Sequence, residues 1–450
     1  MPPKQEREYL MNTNSAELQH INFDASKIRH IVDRVFGGYT GSLGVRLWDG
    51  IPFSLGHDNH AATLVIKNVK LFRKLIWRPD PLRLVEAYFF GEFDIEGDLY
   101  AFLKQSVHLE SLSFSMQDRI SIFFAALFPK NTSALVLKSS ATVKWSKPLL
   151  ARFTRTHSKA LNREAIAFHY DVSNEFYRLW LDEERVYSCA YFTNTDESLE
   201  QAQRNKLDHI CRKLRLKTGE RLLDIGCGWG ALICWAAQQY GVYAHGITLS
   251  RQQYEYTQAK IHHLGLEKQV TVELRDYRDL PNDAVYDKVS SIGMFEHVGL
   301  KNLPTYTAIV QRVLKRGGLF LNHGITDNEN GKQKSVGTEF IKRYVFPDGE
   351  LDSLSNVQRV MEQANFEICD VEALRCHYAL TLRHWVNRLE AQHTEALTHV
   401  SEATYRVWRL YMAGCALQFE RGAIGVYQIL AVNGREGCAD LPLTRHDLYQ

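Results

Sequence analysis

The stretch Arg221-Leu-Leu-Asp-Ile-Gly-Cys-Gly-Trp-Gly230 decides the fold of this chain. A short apolar run ends in Asp224 and then opens into three glycines, Gly226, Gly228 and Gly230. The pattern predicts a buried parallel strand that turns sharply into a helix, because glycine adopts backbone angles that side chains forbid and lets a ligand approach closely. A dinucleotide-binding turn places its third glycine three residues after the second. The spacing of two found here favours a cofactor without phosphates, with a tight turn that binds nothing as the alternative.

The next hundred residues alternate between predicted strands and helices. Strands are expected at 242–247, 270–274, 286–293 and 319–323, and helices at 231–240, 251–264 and 303–314, with a turn at Gly317-Gly318. This alternation implies right-handed crossovers and an open, mostly parallel sheet, which is a Rossmann-like α/β fold. Polar residues follow the strands where ligands gather in such sheets, although each could simply cap a loop: Asp224, Thr248, Asp276, Glu296 and His323. S-adenosylmethionine (SAM) is the commonest phosphate-free cofactor for this turn, so we predict a SAM site.

Composition narrows the class of protein. The chain has 450 residues, 45% of them hydrophobic and 24% charged, which is enough for two or three domains. A net charge of only +2 argues against a nucleic-acid-binding protein. No window of 18 apolar residues and no signal peptide are visible. The eight cysteines form no C-x-x-C pair, so we expect no metal site and reduced thiols in a cytoplasm.

The N-terminal residues predict a separate small α+β module, assigned to residues 1–118. Strands are expected at 41–48 and 62–66, turns at Asp49-Gly50 and Gly56-His57-Asp58, and a helix at 82–90. Residues 91–97 are interpreted as a loop with acidic edges. The module contains no catalytic pattern, so substrate handling or oligomerisation is its expected role.

Residues 119–163 carry an uneven charge. They contain nine Lys or Arg residues and no Asp or Glu, with apolar and aromatic groups in between. Each basic residue near an anionic bilayer contributes about 1 kcal/mol, and inserted apolar side chains add to it. We therefore interpret 119–163 as a membrane-docking linker. A solvated linker with a buried Phe cluster and a nucleic-acid contact are the alternatives.

Several motifs between 165 and 350 are typical of one family. They are Ala165-Ile-Ala-Phe-His-Tyr-Asp-Val-Ser-Asn174, Val186-Tyr-Ser-Cys-Ala-Tyr-Phe192, the glycine turn, Gly246-Ile-Thr-Leu-Ser250, Gly293-Met-Phe-Glu-His-Val-Gly299 and Phe340-Ile-Lys-Arg-Tyr-Val-Phe-Pro-Asp-Gly-Glu350. In this the chain resembles the cyclopropane fatty acid synthases and mycolic acid methyltransferases, collinearly over about residues 160–432. The resemblance implies a class I SAM-dependent methyltransferase domain at 164–450. The long N-terminal module is similar to that of the synthases proper.

The resemblance also implies a cofactor site. SAM would lie against the glycine turn, with Thr248-Leu-Ser250 and Gln253 at the ribose, and Gln253 can both donate and accept. Asp276 and Tyr277 would hold the adenine, where the family usually has a Trp. The full implied set is Tyr187, Ser188, Asp224, Gly226, Gly228, Gly230, Thr248, Leu249, Ser250, Gln253, Asp276 and Tyr277.

The chemistry of the family needs a base. An isolated alkene attacks a sulfonium methyl only when it is held in line and close, and the resulting carbocation must lose a proton before a ring closes. By resemblance, the base is a bound bicarbonate ion, held by Cys189, Glu296, His323, the backbone of Ile325, and Tyr378. A carboxylate beside an anion is repulsive, so at least one proton must lie between Glu296 and bicarbonate.

Each of these residues also has a structural alternative. His323 could be a core histidine, Cys189 a small buried residue and Tyr378 a packing aromatic. Cys415 matches a cysteine proposed as catalytic in the family, although a buried helix position suits it better, because the reaction needs no nucleophile.

The predicted activity is a SAM-dependent cyclopropane fatty acid synthase acting on cis-unsaturated phospholipid acyl chains. The enzyme would be a cytoplasmic homodimer associated peripherally with the inner face of the membrane, and a tunnel beside Phe295 and Glu296 would admit the lifted acyl chain. Alternatives are a fatty acid C-methyltransferase giving methyl- or methylene-branched (or hydroxylated) chains, a lipid-binding protein with a vestigial site, and a small-molecule methyltransferase.

Overall fold

A computed structural model describes residues 29, 39–67, 81–110, 172–327, 336–346, 349–434 and 441–449. The chain divides into two compact units, Met1–Trp145 and Ser146–Gln450. The basic segment 119–163 lies outside the described residues, so its docking role stays a prediction. Within the described ranges, no helix is both long enough and apolar enough to cross a membrane.

The described part of the first unit contains a mixed sheet with helices packed against it. The strands are β1 (Ser42–Arg46), β2 (Pro52–Gly56), β3 (Ala62–Ile66) and β4 (Phe93–Gly97), in the order β2-β1-β3-β4. β1 pairs parallel with β3, and the other two pairings are antiparallel. The helices are α1 (Pro81–Phe89) and α2 (Leu99–Glu110). The predicted α+β character is confirmed.

The prediction of a loop over residues 91–97 is wrong, because most of it forms the edge strand β4. Phe93 and Ile95 are buried, whereas Asp94 is half-buried and Glu96 exposed, a period of two that is typical of a strand with one solvent face. The acidic residues that suggested a loop are the charged face that edge strands commonly carry.

The second unit is built on a seven-stranded sheet. Its strands are β5 (Arg221–Ile225), β6 (Tyr243–Thr248), β7 (Val270–Leu274), β8 (Tyr286–Ile292), β9 (Leu314–Asp327), β10 (Phe366–Ala373) and β11 (Ile424–Asn433), in the order β10-β11-β9-β8-β5-β6-β7. Strands β5 to β9 are parallel, and β11 is antiparallel to both its neighbours. This confirms the predicted Rossmann-like fold. The chain leaves β5 toward β6 on one side and returns to β8 on the other, which places a ligand crevice at the end of β5.

Helices cover both faces of this sheet. They are α3 (Asn174–Arg178), α4 (Leu199–Lys213), α5 (Ala231–Tyr240), α6 (Arg251–His263), α7 (Phe295–Val298), α8 (Leu303–Val313), α9 (Val336–Tyr344), α10 (Leu354–Gln363), α11 (Arg375–Ala391), α12 (His393–His399) and α13 (Glu402–Arg421). Leu222 packs in a cluster with residues of α4 and α5, and its neighbour Leu223 packs in another with residues of α8 and α10. The apolar run of β5 is therefore buried on both faces, as parallel sheets require.

Strand β9 is longer than predicted, because it hydrogen-bonds to β8 on one side and to β11 on the other. The predicted Gly317-Gly318 turn lies inside it as an irregularity. Between two paired positions, β8 advances from Tyr286 to Lys288 while β9 advances from Leu314 to Leu319. Gly317 has φ +74, which suits a local bulge in the strand.

Candidate active site

A cleft opens at the carboxyl ends of β5, β6 and β8. Nine of the twelve residues that we predict to bind the cofactor line it: Tyr187, Ser188, Asp224, Gly226, Gly228, Thr248, Leu249, Gln253 and Tyr277. The edge of the sheet chosen from the sequence is therefore the edge that carries the cleft.

The turn between β5 and α5 forms the floor of the cleft. The N–H groups of Gly226 and Cys227 both donate to the carbonyl oxygen of Ile247, at 2.9 and 3.0 Å, which ties the turn to β6. Gly228 has φ +55, and a Cβ atom there would meet no other atom within 4 Å. The backbone thus presents open space that a side chain would fill, a cradle suited to a ligand.

Asp224 supplies a buried carboxyl group at the end of β5. Its Oδ1 accepts a hydrogen bond of 2.7 Å from the Ser290 hydroxyl. Burial raises the pKa of Asp224 to about 6, although the Ser290 hydrogen bond and the charge of Lys206 oppose the rise. At neutral pH the group is therefore an anion with little solvation, ready for a cationic partner.

Two further side chains shape the other end of the cleft. Gln253 is buried, and its Oε1 accepts a hydrogen bond of 2.8 Å from the Thr248 hydroxyl, so Thr248 orients the amide. Tyr277 is buried, and its ring meets that of Tyr306 edge-on at 5.3 Å. Tyr277 thus offers a fixed aromatic wall where the family has Trp.

The other three residues of the predicted cofactor set do not line the cleft and make contacts within the turns. Gly230 precedes α5 with φ +79, and a Cβ there would lie 2.5 Å from Thr257. Ser250 caps α6, with its Oγ accepting the Gln253 N–H at 3.3 Å. Both carboxylate oxygens of Asp276 accept hydrogen bonds from the Arg278 side chain, at 2.8 and 2.6 Å.

The residues predicted to hold bicarbonate form a second group beside the sheet. Glu296 is 7% exposed, and its Oε1 accepts the Ile325 N–H at 2.7 Å. Its Oε2 is buried and has no hydrogen-bond partner among the described residues. Burial raises the pKa of Glu296 to about 7, against the opposing effect of the Ile325 N–H. The resemblance implies that the backbone of Ile325 contacts bicarbonate, and in this structure the N–H of that residue donates to Glu296.

His323 lies two residues before Ile325 on the same face of β9. Burial, together with the charges of Lys206 and Lys213, lowers the pKa of His323 to about 3, so its ring is neutral. The Gln428 side-chain nitrogen lies 3.3 Å from Nδ1 of this ring. A neutral imidazole has one N–H group, so His323 can donate one hydrogen bond.

Contacts connect Cys189 and Tyr378 to this group. The Cys189 thiol lies 3.7 Å from the carbonyl oxygen of Leu374, and that same oxygen accepts the Tyr378 N–H at 3.1 Å. The Leu374 N–H in turn donates to Val426, which pairs with Ile325 across the sheet. Burial raises the pKa of Cys189 well above the ordinary range, so it is a neutral thiol. These contacts run through the backbone, and the centroid of the Tyr378 ring lies 4.8 Å from that of Phe419 and 6.0 Å from that of Trp385. The arrangement of the five residues around a bicarbonate ion stays a prediction.

Cys415 lies apart from these contacts, half-buried in α13. Burial raises the pKa of Cys415 to about 12, which leaves the thiol protonated at neutral pH. A protonated thiol is a poor nucleophile. The half-buried position on a helix and the protonated thiol favour a structural role for Cys415.

Sequence reasoning missed other residues that line the cleft, notably Lys206, Arg275 and Met294. His297, which follows Glu296 in the sequence, also lines it. Lys206 is 1% exposed and lies on the face of α4 that also buries Ala202 and Ile210. A lysine within an apolar stripe of period 3.6 is the signal that could have identified it.

Aromatic rings enclose the Tyr187 side of the cleft. Tyr187 lies with its ring centroid 5.7 Å from Tyr177, 5.5 Å from Trp180 and 5.3 Å from Trp385. Trp229, which also lines the cleft, lies 5.0 Å from Tyr177. The wall is apolar, rigid and able to stabilise positive charge through its π faces.

The Rossmann-like fold, a glycine turn whose spacing suits a cofactor without phosphates, and the buried Asp224 carboxyl at the end of β5 define a class I SAM-dependent methyltransferase. The family follows from comparison with known proteins. The model of the mycolic acid cyclopropane synthetase family matches residues 157–429. The chain belongs to this family.

Individual relatives agree with this assignment. Over 411 residues, 91% of this chain and 96% of the relative, the chain is 42% identical to a probable fatty acid methyltransferase of Pseudomonas putida. Over 269 residues, 60% of this chain and 67% of the relative, it is 40% identical to the cyclopropane-fatty-acyl-phospholipid synthase of Escherichia coli K12. A crystal structure of mycolic acid cyclopropane synthase CmaA1 complexed with SAH and CTAB is 34% identical, with a TM-score of 0.57, and covers 60% of this chain and 98% of its own.

Proposed function

We propose that this methyltransferase is a cyclopropane fatty acid synthase that adds a methylene group across the cis double bond of an unsaturated phospholipid acyl chain. The observation that carries the proposal is the buried Glu296 carboxyl, whose Oε2 has no described partner. A simple methyl transfer to a nucleophile with a lone pair has no need of a buried acid beside a neutral histidine. Ring closure, by contrast, must remove a proton from a carbon that bears no acidic group.

The cofactor residues fit SAM, which supplies an electrophilic methyl group when bound. Open space at Gly228 and the anionic Asp224 favour a cationic ligand that approaches the backbone closely. Thr248 holds Gln253 in a fixed orientation for hydroxyl groups. Tyr277 provides a face on which a purine ring can stack.

The second group fits bicarbonate, which would supply a base small enough to sit beside the acyl chain. With a pKa of about 7, Glu296 carries a proton in about half of the molecules at neutral pH, so it can lie next to an anion without strong repulsion. The single ring N–H of neutral His323 and the Cys189 thiol are neutral donors. Neutral donors bind an oxyanion without abolishing its basicity, which a paired cation would reduce.

The aromatic wall supports a reaction through a cationic carbon. Tyr187 and Trp229 line the cleft with aromatic rings and offer no strong nucleophile that would trap such a carbon. Tyr177 and Trp180 pack behind Tyr187. A cation over an aromatic face is stabilised by about 0.5–2 kcal/mol.

We also propose that a membrane phospholipid carries the acyl chain that accepts the methylene group, and that residues 119–163 bind the anionic surface of the membrane. Support comes from the nine basic residues of this segment and from the name of the Escherichia coli relative. A cytoplasmic, peripheral location and a homodimer remain predictions of the same kind.

A fatty acid methyltransferase that leaves a branched chain is the second candidate. It is favoured by the Pseudomonas putida relative, which matches 91% of this chain, including most of the N-terminal unit. The same residues would serve both reactions, and the difference would be which proton leaves the substrate or whether a reductant is used.

Mass spectrometry of fatty acids separates these candidates. The full chain is incubated with SAM, bicarbonate and vesicles of cis-unsaturated phospholipid. A gain of about 14 mass units that survives catalytic hydrogenation unchanged supports a ring, because a saturated methyl branch would add about 16. A gain of about 14 that hydrogenation still shifts indicates a branched alkene, such as an exo-methylene group. No gain with any phospholipid, while SAM binds, would overturn the proposed substrate class, and no SAM binding would favour a vestigial site.

A further inference from the structure

Lys206 is a fully buried cation at the wall of the cofactor cleft. It lies on α4, is 1% exposed, and its Nζ donates a hydrogen bond of 3.0 Å to the Ser188 hydroxyl. Lys206 and Ser188 both line the cleft. A buried ammonium is costly unless it is paired with an anion.

Asp182 and Asp224 are the two carboxylates whose charges act on Lys206, and both already accept hydrogen bonds from other groups. Asp182 accepts the N–H groups of Glu184 and Val186, at 3.0 and 2.9 Å. Asp224 accepts the Ser290 hydroxyl at 2.7 Å. Among the described residues, no carboxylate makes an ion pair with Lys206, and the charge of this ammonium is balanced only at longer range.

Lys213 shows how this chain satisfies a buried lysine that has no ligand. It lies two turns further along α4 and is also 1% exposed. Its Nζ makes an ion pair of 2.6 Å with Glu372 and one of 3.4 Å with Asp370. Lys213 does not line the cleft, whereas Lys206 does. The buried lysine that has no carboxylate partner among the described residues is therefore the one at the cleft.

The position of Lys206 in the cleft identifies the anion. Thr248, Gln253 and Tyr277 lie on the β6 and β7 side of β5, where ribose and adenine are expected. Lys206 and Ser188 come from α4 and the segment before it. SAM has one anionic group, the carboxylate of its methionine end. Since ribose and adenine are expected on the β6 and β7 side, the methionine end is expected beside α4. We propose that Lys206, with Ser188, binds the methionine carboxylate of SAM and so selects cofactors that carry it.

This pairing would divide the methionine end between two opposite charges. Lys206 would meet the carboxylate, and Asp224 on β5 would meet the ammonium group. Both protein groups are held before binding, one by Ser188 and the other by Ser290. The inference needs only the SAM site, so it does not depend on the acyl substrate or on the product.

Decarboxylated SAM tests the proposal, because it retains the sulfonium and the amine but lacks the carboxylate. Calorimetric titration of the full chain gives the dissociation constant of each ligand. A charge-assisted hydrogen bond predicts that the wild type binds SAM about 10- to 100-fold more tightly than decarboxylated SAM. Lys206→Met should reduce this preference to about 3-fold or less by weakening SAM alone, and Lys206→Arg should keep most of it.

Lys213→Met is the matched control, since it truncates a buried lysine of the same helix. It should lower the unfolding midpoint and leave the preference for SAM unchanged. If Lys206→Met does not fold, the milder Ser188→Ala variant should still lower the preference several-fold.

Three results would overturn the proposal. One is a wild type that binds both ligands equally. Another is a Lys206→Met protein that loses affinity for both ligands by the same factor, which indicates a structural role. The third is a folded variant that keeps the wild-type preference but needs more bicarbonate for activity, which would place the ammonium on bicarbonate.

Discussion

Replacing Glu296 with Gln should make the ligand-free protein more stable, by an amount that grows with pH. Burial raises the pKa of Glu296 from 4.5 to about 7, so the folded state holds this proton more tightly than the unfolded chain does. Between these values the folded state binds more protons, and the free energy of unfolding of the wild type therefore falls as pH rises. A shift of this size corresponds to about 3 kcal/mol once the pH exceeds 7.

Gln has the shape of Glu but does not titrate. It can still accept the Ile325 N–H through its side-chain oxygen. We expect Glu296→Gln and wild type to have similar free energies of unfolding at pH 4.5, and the variant to be more stable by about 3 kcal/mol at pH 8. Other buried acids, such as Asp182 and Asp224, titrate in both proteins, so their contributions cancel in the difference.

Urea unfolding at pH 4.5, 6, 7 and 8, followed by tryptophan fluorescence, measures this difference. The same variant should lose about 100-fold or more of its product formation, because the amide cannot share a proton with bicarbonate. Its affinity for SAM should stay within about 3-fold of wild type, since Glu296 does not line the cofactor cleft. A stability difference that does not change with pH would refute the reasoning about the buried carboxyl.

Three further predictions concern other parts of the chain. Asp224→Asn should weaken SAM binding by about 10-fold or more. Wild type should lose affinity for SAM below pH 6, where Asp224 becomes protonated, and the variant should not show this loss. Calorimetry at pH 5 and 7 checks both effects, and an unchanged affinity would contradict the placement of Asp224 beside SAM. Gly324→Ala should destabilise the protein by about 1–3 kcal/mol in urea unfolding, because the new Cβ would lie 2.0 Å from the Phe295 ring, and full stability would mean that this ring moves freely. Replacing Lys144, Lys147, Arg152 and Arg155 with Gln should lower the affinity for anionic vesicles about 100-fold or more in a sedimentation assay and leave the SAM affinity unchanged. Neutral vesicles are the control. Unchanged binding to anionic vesicles would exclude docking through this segment.

The parts of the fold that could be predicted are those with local signals. The helix 231–240 was predicted to the residue, because Gly241 ends it in the left-handed conformation and its N–H donates to Ala237. The alternation of β4 is visible in the sequence, but its acidic residues are equally typical of a loop, so a loop is predicted there and not a strand. The length of β9 depends on pairing with β11, about one hundred residues later in the chain, and no local pattern carries that information.

The residues of the candidate site also divide into those with a local sequence signal and those that only tertiary contacts identify. The three glycines of the turn and five polar residues at strand ends can be located from spacing alone, and four of these eight line the cleft: Asp224, Gly226, Gly228 and Thr248. Gly230, Ser250 and Asp276 have the same local context, but packing against Thr257, helix capping and pairing with Arg278 occupy them. Whether a polar residue faces a ligand or a neighbour depends on side chains that the tertiary fold brings close.

The sequence by itself therefore determined the fold class, the cofactor class and the sheet edge where the site lies, because strand and helix periods and glycine turns are properties of short segments. Only the tertiary structure decided the chemical state of the site. It buries Glu296 against Ile325, removes the charge from His323 and leaves the Lys206 ammonium at the cleft with no carboxylate paired to it among the described residues. These properties arise from burial and from contacts between distant segments, which set the electrostatic energy of a charge and do not exist until the chain has folded.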